Sequence, residues 1–358
     1  GDIQISSSDI DNPTTLRLKS VMVCNDITID ENQTLDVSNG QDGTTYQHIL
    51  TSGNWTNSGT YLFNTPDPDL GCSLVVFKGS LEDYVTITTG GTSDGHKFSE
   101  VAISAHVKTV GTMICVSALD LNDTGAFLDM GADCEAANVA ITQGTICLNG
   151  NTLTSDSGWL AYNAGTENYN IYIYDGTTTG GGICINGTML LVSLYEKDGT
   201  PYTLTCDFSG FTGNIEVNGG IVLPSSTLAQ ELFDDPSLSI LGSCTLNFGS
   251  GTLSIGPHTA TSFECAGYAV YVDAAENGSN AINFGAMNIT VEGDWFNDSI
   301  VDPGTTTIDF TTESTFNYTT HITGAGTHSL NNVIISGTLD APSTLNILGN
   351  WTNNGTFN

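Results

Sequence analysis

Positive charge is nearly absent from this chain. Six lysines and arginines stand against 39 aspartates and glutamates, for a formal net charge of −33 over 358 residues. The six are Arg17, Lys19, Lys78, Lys97, Lys108 and Lys197. A surface this negative repels nucleic acid and anionic lipid, which argues against both as partners. Long apolar runs are missing too. None approaches the ~18 residues of a membrane-spanning helix, so membrane insertion is not expected. The chain opens on polar residues, Gly1-Asp2-Ile3-Gln4-Ile5, and reads as a mature form. The apolar N-terminal helix on which type IV pilins and archaeal flagellins build filaments is not seen. CxxC pairs are also missing among the nine cysteines, so zinc or iron–sulfur ligation is not expected.

Glycine, threonine, serine and asparagine are abundant, with 41 glycines and only 13% charged residues. That mixture favours many short strands joined by turns and disfavours helices. One element recurs: Gly53-Asn54-Trp55-Thr56-Asn57-Ser58-Gly59-Thr60-Tyr61 returns as Gly349-Asn350-Trp351-Thr352-Asn353-Asn354-Gly355-Thr356-Phe357. Looser copies surround Trp295 and Trp159, so all four tryptophans of the chain belong to it. A repeat holding every copy of the rarest large residue is a building unit. The strands after Trp55 and after Trp295 also recur in order. Thr307-Ile308-Asp309-Phe310 answers Leu74-Val75-Val76-Phe77, and the stretch from His328 to Ser336 answers that from His96 to Ser104 position for position.

The predicted fold is therefore all-β: parallel β-solenoid (β-helix) repeat modules, with tandem β-sandwiches as the alternative. Four segments are expected: first coils over 1–49, a repeat module over 50–160, a divergent β middle over 161–290, and a second module over 291–358. Only Thr227–Phe233 has a faintly helical pattern.

These modules resemble the GNWTNNGTF repeats of large secreted bacterial and archaeal surface proteins. There a Trp element precedes a strand, a Gly-rich turn, an FNNVTIS-type strand and a GTLxLxGxTL coil. The matching stretches are 53–61, 73–80, 96–104 and Gly144-Thr145-Ile146-Cys147-Leu148-Asn149-Gly150-Asn151-Thr152-Leu153. The likeness is good over about 50–160 and 287–358 and weak between. It implies parallel β-solenoids used as adhesins, surface-layer components or extracellular fibres, and names no ligand.

Candidate chemistry is sparse. Gly91-Thr92-Ser93-Asp94-Gly95 matches the G-x-S-x-G nucleophile elbow, but a strand follows where a helix is required, so it reads as a turn. No full acid–base constellation is visible, and no catalytic residue is assigned. Calcium is the one cofactor the pattern offers. Asp120-Leu121-Asn122-Asp123-Thr124-Gly125 places oxygen ligands Asp120, Asn122 and Asp123 before a closing glycine, and Asp67 with Asp69 is a second candidate. Among the cysteines, Cys134 with Cys147 is the expected disulfide, and an odd count leaves at least one thiol over. N-glycosylation sequons begin at Asn32, Asn54, Asn122, Asn186, Asn277, Asn288, Asn297, Asn317, Asn350 and Asn354.

The expected role is a non-enzymatic, secreted structural protein of the cell surface. It would polymerise with copies of itself into a filament or lattice, or form an adhesin shaft. The Trp351–Phe357 element opens a module that does not continue, and strand Ile3–Ile5 of another copy is expected to complete it. A glycan-binding or polysaccharide-degrading β-helix is the alternative, with surface glycans as partners.

Overall fold

A computed structural model of the chain describes residues 1–6, 13–18, 21–38, 48–63, 73–79, 84–163, 168–193, 202–225, 228–229, 242–256, 268–274, 280–311 and 319–358. Nearly every element is a strand, and the registered strand pairs are parallel. The chain is thus a parallel β-solenoid, as its alternating Ile, Val and Thr runs predict. It forms two compact units, Gly1–Asp156 and Ser157–Asn358. The boundary follows packing, whereas the four segments read from sequence follow motif likeness.

In the first unit, strands stack in columns, one per face of the coil. One column runs Ile3–Ile5, Ile27–Ile29, Trp55–Asn57, Val85–Thr89 and His106–Val110. A second holds Thr15–Arg17, Thr34–Asp36 and Thr60–Leu62. A third runs Met22–Cys24, Ile49–Thr51, Leu74–Phe77 and Phe98–Ile103. Period-2 alternation sends one side-chain set inward at each step. Trp55 faces Tyr61 at 5.2 Å and Phe98 at 5.0 Å between ring centroids, so residues from all three faces meet in one core. The coil then tightens: Met113–Asp129 and Cys134–Cys147 are long bent strands in register with each other, broken by register shifts.

The second unit stacks in the same manner. Its inner aromatics form a ladder, with Phe208, Phe248 and Phe284 stacked at 5.7 Å per step. One of its columns is apolar outside as well as inside. Leu190, Val222, Tyr271 and Phe296 share the outer side of consecutive strands and pack with Leu228. Burial on both sides explains the unbroken runs Met189-Leu190-Leu191-Val192 and Ile221-Val222-Leu223, which lack alternation. Of the faintly helical stretch Thr227–Phe233, all but Leu228 and Ala229 lies outside the described residues.

Glycine sets several corners. Gly251 has φ +125° and Gly285 φ +59°, and a Cβ on either would fall against backbone carbonyl oxygens of the coil beneath.

Candidate functional site

The most regular polar arrangement joins coil to coil. An Asp or Asn directly before an inward-pointing residue accepts a hydrogen bond from the backbone N–H at the same position one coil on. Asn54 Oδ1 accepts from Thr86 N at 2.8 Å, Asp133 from Thr152 N at 2.8 Å and Asn168 from Thr203 N at 2.9 Å. Asp294 accepts from His321 N at 2.7 Å and Asn332 from Asn350 N at 2.9 Å. Asp26 does the same for Asn54 N at 2.6 Å. Each bond gives a backbone amide in or just before a strand a side-chain acceptor from the neighbouring coil.

The Trp element is this device followed by a corner. Asn57 Oδ1 accepts from Gly59 N at 3.1 Å, Asn297 from Ser299 N at 3.0 Å and Asn353 from Gly355 N at 3.1 Å, an Asx turn each time. The other end of the carboxamide reaches the next coil. Asn57 Nδ2 donates to Gly95 O at 2.9 Å, and Asn297 Nδ2 to Thr327 O at 3.3 Å. Gly95 and Thr327 each precede a histidine, so the equivalence of His96 and His328 read from sequence has a structural cause.

The candidate calcium ligands do not form a loop. Asp120, Asn122 and Asp123 lie within the strand Met113–Asp129, where alternation and register shifts spread their side chains. Asn122 Oδ1 accepts from Ser104 Oγ at 2.8 Å, and Asp123 Oδ1 turns back to Gly125 N at 3.1 Å. Among the described residues no three His, Cys, Asp or Glu side chains group as a metal site. Asp67 and Asp69 lie outside the described residues.

The expected Cys134–Cys147 disulfide is not formed in the structure, where both side chains are buried. The two cysteines stand at opposite ends of one 14-residue strand, each beside a residue of the preceding coil rather than beside the other. Burial pushes the thiols of Cys134 and Cys244 up to about 12 and also raises Cys115 and Cys206, so these are core residues and not nucleophiles.

Of the sequon asparagines, Asn32, Asn54, Asn122, Asn186, Asn288, Asn350 and Asn354 are exposed. Asn297 is 1% exposed with its carboxamide engaged at both ends, which leaves no room for a glycan in the folded chain. Asn277 and Asn317 lie outside the described residues. Ile3 is half-buried and Ile5 buried in the first column, whereas Trp351 and Phe357 are 40% and 43% exposed.

Register also brings together residues that no motif linked. Ala102 pairs with Asp120 and Glu100 with Ala118, which sets Glu100 and Asp120 diagonally on one face. Burial, then the Glu100 charge and hydrogen bond, raise the Asp120 carboxyl to about 7. His321 lies between two carboxylates, with Nδ1 3.0 Å from Asp294 and Nε2 3.5 Å from Asp340. Tyr84, His106 and Phe127 form a ladder on the outside of the first unit, at 5.8 and 5.3 Å between successive centroids. These residues are far apart in sequence, so only alignment with the coil period could have found them.

No protein-family model, curated protein or solved structure matches the chain.

Proposed function

We propose that this protein is a non-catalytic, extracellular structural element whose coils extend by stacking on another copy, as a filament, a surface lattice or an adhesin shaft. The observation carrying this reading is the coil-to-coil device itself. Its Asx acceptors, Asx turns and parallel ladders recur from Asp26 to Asn350 and join successive coils by one rule. Asn350 and Asn353 present the same groups as Asn54 and Asn57, beside half-exposed Trp351 and Phe357. Residues 341–358 carry no charged side chain, so this end can approach a copy without the repulsion the rest of a −33 chain imposes. The coil of a second copy that holds strands Ile3–Ile5 and Met22–Cys24 is the partner we assign to it.

Light scattering and negative-stain imaging of the 358-residue protein test the reading. Concentration-dependent, linear assembly is expected, reduced by Trp351→Ala. A strict monomer at every concentration, with and without calcium, would overturn it.

A further inference from the structure

We infer that the outer face bearing Tyr84, His106 and Phe127 binds an uncharged polysaccharide. Tyr84 directly precedes strand Val85–Thr89, His106 opens strand His106–Val110, and Phe127 lies near the end of Met113–Asp129. Val85 pairs with Val107 and His106 with Phe127, so the three rings occupy one position in three successive coils. Tyr84 and Phe127 are 6.3 Å apart and edge-to-face, so the three rings form one contiguous patch. Tyr84 is 51% exposed. In the second unit the outer aromatics Tyr268, Tyr271 and Phe296 are covered by the cluster with Leu228, whereas Tyr172 is 47% exposed. In the first unit Tyr84 stands open to water, with His106 and Phe127 half-buried beside it.

The neighbouring column supplies hydrogen-bonding groups. Thr86, Lys108 and Asp129 stand in register two residues further along the same strands, on the same side. The exposed Tyr84 ring for the apolar face of a pyranose, flanked by the Thr86 hydroxyl, the Lys108 ammonium and the Asp129 carboxylate that also accepts from Asn149 Nδ2, is the chemistry that recognises a sugar. The net charge of −33 selects among sugars: it repels uronate and sulfate polymers and is indifferent to neutral ones. Successive rings along one column suit a chain of sugars lying across the coils better than a single residue. This inference is independent of self-assembly, because the face shares no residue with the coils assigned to assembly.

Native affinity electrophoresis tests it, with hydroxyethylcellulose and dextran as neutral probes and alginate as the anionic one. At least one neutral polymer is expected to retard the protein, and alginate is not. Tyr84→Ala should weaken retardation roughly tenfold, and Lys108→Gln by a smaller factor. Both positions are exposed, and near-UV circular dichroism checks that the variants fold. Running the panel also on Trp351→Ala separates a failure here from a failure of assembly. Retardation by neither neutral polymer, or equal retardation of Tyr84→Ala, would overturn the site. Retardation by alginate alone would overturn the choice of an uncharged ligand.

Discussion

Trp351 pairs with Val333, in the column that runs through Ile308, Ile289 and Leu253. Trp295, in the same unit, pairs with Val270 and Ile322 in a different column. The Trp element therefore does not mark one face of the coil or open one kind of module. It encodes a corner: an aromatic, an Asx turn two residues on, and a second strand directly after it. The same corner joins Asp294–Asn297 to Ile300–Asp302 and Trp351–Asn353 to Thr356–Phe357.

The two tryptophans should separate folding from assembly. Trp295 is 2% exposed and sits between Phe284 and Phe310. Trp295→Ala should cost about 3–5 kcal/mol of stability in a denaturant titration. Trp351→Ala should cost much less and show its effect in light scattering.

Removing the corner carboxamide should loosen two coils at once. Asn57→Ala deletes the Asx turn to Gly59 and the bond to Gly95 O, for about 1–3 kcal/mol. Asn57→Asp keeps the acceptor but loses the donor and sets a carboxylate near a carbonyl. It should be no better than alanine in the same titration.

Corner glycines should resist a side chain where φ is positive and the coil beneath is close. Gly251→Ala would strain a φ of +125° and press on the Gly213 carbonyl, so a loss of about 1–3 kcal/mol or more is expected. Gly180 also has a positive φ, +93°, but nothing lies within 4 Å of a Cβ there. Gly180→Ala should cost less, and the difference between the two melts measures the stacking clash.

The Glu100–Asp120 pair should make stability fall as pH rises. The Asp120 carboxyl titrates near 7 when folded and near 4 when unfolded, so the folded state holds the extra proton. Its contribution is complete below the unfolded value and is lost as pH passes through about 7, with a slope of at most about 1.4 kcal/mol per pH unit. Asp120→Asn should flatten that slope and stabilise the protein at pH 8. An unchanged slope would place the titration elsewhere.

The described cysteines Cys24, Cys115, Cys134, Cys206 and Cys244 should react as thiols without prior reduction. Cys184 is half-buried and should label first, while Cys115, Cys134, Cys206 and Cys244 wait for unfolding. Mass spectrometry after alkylation under native and denaturing conditions distinguishes the two groups. A Cys134–Cys147 bridge would be detected directly.

By itself the sequence determined the class of fold and the unit of repetition. Period-2 alternation, the lack of helix-forming runs and the recurrence of Gly-Asn-Trp-Thr-Asn are local properties. The Asx turn they encode closes within three residues, whichever coil it belongs to. Tertiary structure decided what meets what. Register across strands placed Glu100 beside Asp120, lined Tyr84 over His106 and Phe127, separated Cys134 from Cys147, and put Trp351 on another face from Trp295. Such contacts depend on how many residues each coil spends between corners. That number is uneven along this chain, with 28 residues from Ile27 to its partner Trp55 and 22 from Val85 to its partner Val107, so spacing in the sequence does not report proximity in the fold.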